Sequence, residues 1–207
     1  MKYFLKSRGS SSLRRIYIIF RGIVGMQFGG MAMSDLKQET TLISWDQIGD
    51  LEKGRPNLGQ MVPVSIYRMM QYSIRHVLTR KAGMDFADRT FFEAGKLVGE
   101  KFCKDFLNPD LNFDDFLTDL KRILIEQKIG VLRVEKVDFD RMEILLTVAE
   151  DLDCSGLPII DKTVCDYDEG FIAGIMKAYT GKEFSVKEID CWGTGDRVCR
   201  FLVNKAE

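Results

Sequence analysis

Residues 184–204 read FSVKEIDCWGTGDRVCRFLVN. Apolar and polar residues alternate on both sides of the Gly193–Gly195 segment, which is the pattern of two half-buried strands joined by a turn. A hairpin centred on Gly195 places Cys191 opposite Cys199, because each lies four residues from the centre. The Cβ atoms of opposed residues are about 4.5–5.5 Å apart, so this hairpin brings two thiols within reach of a single ion.

The chain before this hairpin contains both periodicities of regular secondary structure. Alternation predicts two more strands, near residues 131–136 and 142–148, with a turn over 138–141. Helical spacing and capping residues predict helices over about 63–82, 85–107, 113–128 and 165–179. Three helices followed by a hairpin, a helix and a second hairpin indicate an α+β fold, in which a helical layer packs on a twisted antiparallel sheet.

Composition restricts the kinds of partner. The chain has 207 residues, enough for one large domain with a single core. Residues 1–34 contain six basic and no acidic residues, so the remainder carries 24 basic and 31 acidic residues. Because residues 35–207 are acidic overall, the composition argues against a nucleic-acid partner. The sequence has no uninterrupted apolar run of about 18 residues, so it predicts no membrane-spanning helix. An odd number of cysteines, five, favours a reducing compartment, and we expect a cytoplasmic protein.

The N-terminal part differs from the rest. We assign residues 1–50 to a leader or linker and residues 51–207 to a single domain. Three interpretations of residues 1–33 stay open: a disordered leader, an extension upstream of a start at Met31 or Met33, or a weak membrane-surface helix.

Two further residues are candidate ligands for a metal held by the hairpin thiols. Cys165 begins the last helix, where the helix dipole favours a thiolate. Glu188 precedes Cys191 by three residues, and such residues point to opposite faces of a regular strand. Glu188 therefore joins the site only if the strand bulges or begins after it. Buried apolar cysteines without a metal are the alternative.

The C-terminal motifs resemble a known family. Residues 165–174 (CDYDEGFIAG), the Glu188-x2-Cys191 pair and residues 195–201 (GDRVCRF) are similar to the signature of the 4-vinyl-reductase domain. In regulators of that family that sense aromatic compounds, three cysteines and a glutamate bind zinc. The resemblance implies that Cys165, Glu188, Cys191 and Cys199 bind a structural Zn²⁺ here, because a site with four protein ligands leaves no open position for a substrate.

The resemblance also implies a fold and a ligand. The family is similar in fold to a tethering-complex subunit of the kind found in NO signalling and Golgi transport, with an enclosed apolar cavity and frequent homodimers. We expect six aromatic residues on the helices to contribute to such a pocket: Tyr72, Phe91, Phe92, Phe102, Phe106 and Phe116. Phenol sensors hold the hydroxyl with a histidine and a tryptophan, whereas this chain has one histidine, His76, and tryptophans only at Trp45 and Trp192. We therefore expect an apolar, hydrocarbon-like ligand.

Function follows from these expectations. The leading hypothesis is a zinc-stabilised sensor or carrier of an apolar small molecule that signals through a separate output protein. An accessory protein or reductase of tetrapyrrole metabolism, as in bacteriochlorophyll synthesis, is one alternative, and an assembly or scaffold subunit is another. A reductase needs a cofactor site, and the Gly193–Gly195 segment closes a hairpin instead of opening a helix. We therefore favour a protein that is not an enzyme.

Overall fold

The structure is a computed structural model that describes residues 45–206. It begins with a single 3-10 turn, Trp45–Ile48, and a one-turn helix, α1, Leu51–Gly54. The predicted leader lies mostly outside the described residues, and the domain boundary at residue 50 stays a prediction.

Four longer helices agree with the helical spacing of the sequence. They are α2 (Val64–Ala82), α3 (Met84–Phe106), α4 (Phe113–Glu126) and α5 (Asp166–Thr180). Gly83 separates α2 from α3 with a φ of 91°, a conformation that side-chain-bearing residues rarely adopt. The Asn112 side chain accepts a hydrogen bond from the Asp115 amide at 3.1 Å and thereby caps α4. The helix limits are thus determined by local chemistry.

Four antiparallel strands form one open sheet. They are β1 (Val131–Asp138), β2 (Glu143–Ala149), β3 (Phe184–Asp190) and β4 (Cys199–Lys205), in the order β1-β2-β4-β3. The two predicted hairpins are confirmed. A pairing between β2 and β4 joins them, and it places Val148 opposite Cys199. This pairing connects strands that are far apart in sequence.

The core lies between the sheet and the helices. Its most buried members include Phe116 of α4, together with Phe201 and Val203 of β4. Helix α3 packs on α5 through glycines on both helices: Gly95, Gly99, Gly170 and Gly174. The α+β class and the helical layer on an antiparallel sheet are confirmed. The enclosed cavity stays a prediction.

Helix α2 is oriented with its polar side inward. The apolar residues whose spacing predicted this helix are largely exposed to solvent, and they include Ile66, Met69, Met70, Ile74 and Val77. The buried residue of α2 is Gln71. The apolar spacing therefore predicted the helix correctly, although it marks the face that points away from the core. Among the described residues, no helix combines the length and the apolarity that crossing a bilayer requires.

Candidate metal centre and apolar pocket

Five potential metal ligands converge beside the C-terminal hairpin. They are Cys154, Cys165, Glu188, Cys191 and Cys199, and their ligand atoms all lie within 4.8 Å of one another. Each of the five residues is at most 2% exposed. Clustered, buried thiols and a carboxylate form a donor set that could hold a metal ion.

Four of the candidate ligands lie at the ends of one helix and two strands. Cys165 precedes the first residue of α5 and Cys199 is the first residue of β4. The register of β3 on β4 shifts between Glu188 and Asp190, which is the bulge that the sequence required before Glu188 could lie on the same side as Cys191. Because of this irregularity, Glu188 and Cys191 are both buried although three residues separate them.

The turn that connects β3 and β4 is wider than a tight hairpin turn. The residue pair of β3 and β4 nearest the turn is Asp190 with Arg200, and a 3-10 turn, Trp192–Thr194, follows Cys191. Cys191 and Cys199 therefore lie one residue beyond the paired part of β3 and β4, on either side of the connection.

The sulfur spacing can be compared with a tetrahedral site. The Sγ atom of Cys165 lies 3.9 Å from that of Cys191 and 3.8 Å from that of Cys199. Four sulfurs about 2.3 Å from a zinc ion are about 3.8 Å apart at tetrahedral angles. These two distances fit such a site, whereas Cys154 and Cys199 are closer, with 3.0 Å between their Sγ atoms. Separating that one pair by about 0.8 Å would bring it to the tetrahedral spacing.

Glu188 uses one carboxylate oxygen within the fold. Its Oε2 accepts hydrogen bonds from the amides of Val164 and Cys165, at 3.2 and 3.1 Å. These bonds connect β3 to the start of α5. Within the described residues, the buried Oε1 has no hydrogen-bond partner. Burial, followed by the nearby Cys191, raises the pKa of Glu188 to about 8.

Cys154 is the member of the cluster that sequence reasoning missed. It lies in the loop after β2, and the carboxylate of Asp151 accepts hydrogen bonds from the amides of Asp153 and Cys154, each at 2.9 Å. The loop lies beside the cluster because β2 pairs with β4, where Val148 opposes Cys199. The available signal was that four of the five cysteines occur after residue 150.

The polar face of α2 holds the same loop. Tyr67 and Gln71 donate to the Asp153 carboxylate at 2.7 and 2.6 Å, and Tyr72 donates to the Asp153 carbonyl oxygen at 2.6 Å. The Arg68 guanidinium donates to three carbonyl oxygens of residues 151–155, at 2.7 to 3.2 Å. These bonds satisfy backbone groups that would otherwise be buried without partners, and they fasten the loop that carries Cys154 to α2.

An apolar pocket lies between the sheet, α4 and α5. Its volume is about 60 Å³, and its lining is apolar except for Asp151 and Asp168. A second pocket of about 250 Å³ lies beside it, and the two share Ile129, Asp168 and Phe171. The two spaces are therefore neighbours.

Asp168 is the polar group common to both pockets. Its Oδ2 atom is buried and has no hydrogen-bond partner among the described residues. Burial, followed by the charges of Asp151 and Asp153, raises the pKa of Asp168 well above its usual range. In the smaller pocket, Asp168 and Asp151 are the groups that could form hydrogen bonds in an otherwise apolar wall.

Comparisons with known proteins agree with this architecture. The model of the 4-vinyl-reductase domain matches residues 144–205. An uncharacterized protein of Methanocaldococcus jannaschii is 31% identical over 146 residues, which cover 70% of this chain and 80% of the relative. The chain belongs to the 4-vinyl-reductase domain family. All five cluster residues lie within the stretch that the family model matches.

Two solved structures share the fold of this 4-vinyl-reductase domain. One is the phenol-responsive sensory domain of the transcription activator PoxR with phenol, with a TM-score of 0.55 and 16% identity, covering 72% of this chain and 78% of that one. The other is a trafficking protein particle complex subunit 3 from Naegleria fowleri covalently bound to palmitic acid. It has a TM-score of 0.55 and 16% identity, covering 70% of this chain and 95% of that one. At this identity the likeness establishes the fold alone.

The aromatic residues expected in the ligand pocket of the domain lie in different places. Phe116 lines the smaller pocket, and Phe102 and Phe106 line the larger one. Tyr72 lines a shallow depression on α2, near the exposed His76. Phe91 packs under the Arg75 guanidinium, 4.4 Å from the ring centroid, and Phe92 packs against the core. Whether any of the six contacts a ligand stays a prediction.

Proposed function

We propose that this 4-vinyl-reductase domain is a zinc-stabilised receptor or carrier for an apolar small molecule. The observation that carries this proposal is the apolar pocket between the sheet, α4 and α5, which adjoins a larger pocket of mixed polarity at Ile129, Asp168 and Phe171. Apolar walls with few polar groups are typical of small-molecule sites. The fold shared with a phenol-responsive sensory domain is consistent with a sensor.

Zinc contributes stability in this proposal. Cys165, Cys191 and Cys199 supply three thiolates, and a fourth ligand from the same cluster closes the tetrahedron. An ion with four protein ligands has no position for a substrate, so its chemistry is to hold α5, the end of β3 and the start of β4 together. A reducing cytoplasm keeps the thiols available for the metal.

The first test is native mass spectrometry of the purified protein, with elemental analysis of the same sample. We expect one zinc per chain and a copurified apolar molecule. Flavin or pigment absorbance in that sample would support the tetrapyrrole-related alternative. A chain that carries zinc but binds no apolar probe would support an assembly subunit.

Filling the smaller pocket should weaken ligand binding without unfolding the protein. Ile172 lines the smaller pocket, and Ile172→Trp adds an indole where about 60 Å³ is free. We expect this variant to lose at least about tenfold in affinity for a fluorescent apolar probe, which corresponds to about 1.4 kcal/mol. Titration of the probe, followed by its fluorescence, measures the effect.

A matched control makes the same change on the surface. Ile189 lies on β3 and is 48% exposed, so Ile189→Trp should leave probe affinity unchanged. Equal affinities of the two variants would place the probe outside the pocket and would contradict the proposal.

The apolar face of α2 supports a homodimer. It is a continuous helical stripe of exposed residues that includes Met69, 70% exposed, and Ile66, 56% exposed. Contiguous exposed apolar surface commonly marks an interaction site, and a helix face repeated in a second copy forms a symmetric interface. A signal to a separate output protein would then travel from a dimer.

A charge on this face should dissociate the dimer. We expect Met69→Glu to produce monomers at concentrations where the wild-type protein is dimeric, because a carboxylate would be buried without a partner. Ile125→Glu, on the exposed side of α4, should remain dimeric. Sedimentation equilibrium measures both, and a wild-type monomer at all concentrations would rule out the dimer.

A further inference from the structure

The cluster contains one ligand too many. A tetrahedral zinc ion takes four donors, and five are within 4.8 Å of one another. The sulfurs of Cys191 and Cys199 both lie at tetrahedral spacing from that of Cys165, so these three thiols form the common part of the site. The fourth ligand is therefore either Glu188 or Cys154.

We propose that the Cys154 thiolate is the fourth zinc ligand and that Glu188 stays outside the coordination sphere. This inference rests on the zinc site of the proposed function. It changes the ligand set from three thiolates and a carboxylate to four thiolates. It also assigns a role to the loop after β2.

Hydrogen bonds hold the loop that carries Cys154 in place. Asp151 fixes the Cys154 amide, and Tyr67, Arg68 and Tyr72 of α2 fix the surrounding loop through hydrogen bonds. Ligands are held most firmly when the groups around them are themselves hydrogen bonded. These hydrogen bonds hold the loop so that the Cys154 thiol points toward the other sulfurs. The Cys154 side chain is 0% exposed.

The donor chemistry of zinc also favours Cys154. Structural zinc sites are built almost entirely from cysteine and histidine, with four thiolates as a common set. The Cys154 sulfur lies 3.0 Å from the sulfur of Cys199, so an ion bound to Cys199 meets Cys154 once the two sulfurs separate by about 0.8 Å. Leaving this thiol unbound would place it in contact with a metal-bound thiolate.

Glu188 has a structural role of its own in the fold. Its Oε2 accepts the amides of Val164 and Cys165, and its own amide donates to Glu169 at 2.8 Å. These bonds anchor β3 to α5. Through Oε2, Glu188 thereby orients the Cys165 backbone and positions a ligand. Its buried Oε1, which has no hydrogen-bond partner among the described residues, is the atom that the alternative ligand set would use.

Cobalt substitution distinguishes the two ligand sets. The near-ultraviolet charge-transfer absorbance of bound Co²⁺ grows with the number of thiolates. The full chain loaded with Co²⁺ should show the intensity of four thiolates, and Cys154→Ser should lose about a quarter of it, one thiolate of the four. Glu188→Gln keeps an acceptor for both amides, so its spectrum should match that of the wild-type protein.

The opposite pattern overturns the inference. If Glu188→Gln shifts the cobalt bands while Cys154→Ser leaves them unchanged, the carboxylate is the ligand and the zinc site of the proposed function still stands. If the wild-type chain binds no Co²⁺ or Zn²⁺, the zinc site itself fails, and this inference fails with it. Cys103→Ser is the control for losing a buried thiol outside the cluster.

A second measurement does not depend on the variants folding. X-ray absorption at the zinc edge of the wild-type protein should show four sulfurs at about 2.3 Å. Three sulfurs and one oxygen at about 2.0–2.2 Å would overturn the assignment of Cys154.

Discussion

Replacing Cys199 with serine is expected to release zinc and to lower the free energy of unfolding by about 5 kcal/mol or more. The cluster joins segments that are distant in sequence: the loop at Cys154, the start of α5 at Cys165, the chain after β3 at Cys191 and the start of β4 at Cys199. Without an ion, buried thiols and the Glu188 carboxylate crowd together. Metal binding is therefore coupled to folding.

The effect can be measured by thermal unfolding with and without a chelator, together with the zinc content of each sample. A loss of about 5 kcal/mol lowers the Tm of a domain of this size by roughly 10–20 °C. The chelator should destabilise the wild-type protein strongly and the Cys199→Ser variant little, because the variant no longer holds the metal.

Cys103→Ser provides a matched control. Cys103 is also 0% exposed, lies on α3 outside the cluster, and has its thiol pKa raised by burial to about 11. Burying one hydroxyl in place of its thiol should cost only about 1–3 kcal/mol. If Cys199→Ser and Cys103→Ser have the same Tm, and a chelator does not change the Tm of the wild-type protein, the structural zinc site is refuted.

Replacing Gly170 with alanine is the second change with a large expected effect. A Cβ at this position would lie 1.9 Å from the Phe92 carbonyl oxygen and 2.8 Å from the Lys96 amide nitrogen. Both atoms belong to the backbone of α3, so no side-chain rotation relieves the contact. The helices must move apart, and we expect a loss of about 3 kcal/mol or more in the free energy of unfolding.

The same contact recurs along both helices. A Cβ at Gly99 would lie 2.1 Å from the Phe171 carbonyl oxygen, and one at Gly174 would lie 2.2 Å from that of Lys96. Helix α5 begins beside Cys165, so displacing it should also weaken metal binding. Denaturant unfolding and zinc titration of Gly170→Ala measure the two effects independently.

Gly54→Ala is the control for this prediction. Gly54 is the last residue of α1, and a Cβ there meets nothing within 4 Å. Alanine should be neutral or stabilise the protein by up to about 1 kcal/mol, because it restricts the unfolded chain. If the free energy of unfolding of Gly170→Ala were within about 1 kcal/mol of the wild-type value, α3 and α5 could move apart at little cost and the prediction would be wrong.

Much of the candidate site could be predicted from the sequence. Cys165, Glu188, Cys191 and Cys199 were identified by spacing and by resemblance, and the structure brings all four together. The bulge after Glu188, which that arrangement required, is present. The choice of metal and the identity of the ligands stay predictions.

Local chemistry determined the helices, strands and hairpins. These elements depend on interactions within a few residues: the spacing of apolar residues, the Asn112 cap and the glycines at turns. The sequence alone therefore specifies the limits of the helices and strands. The orientation of α2 was different. Its apolar spacing identifies a helix with two unlike faces, but hydrogen bonds from Tyr67, Arg68 and Gln71 to a distant loop decided that the polar face points inward.

The position of Cys154 also depended on tertiary structure. Its approach to Cys199 follows from the pairing of β2 with β4, two strands separated by a loop, a helix and another strand. No local period encodes which of two distant strands become neighbours, because that choice is made by burial of the whole core. The sequence by itself therefore determined the secondary structure and four members of the cluster, and only the packed sheet added the fifth.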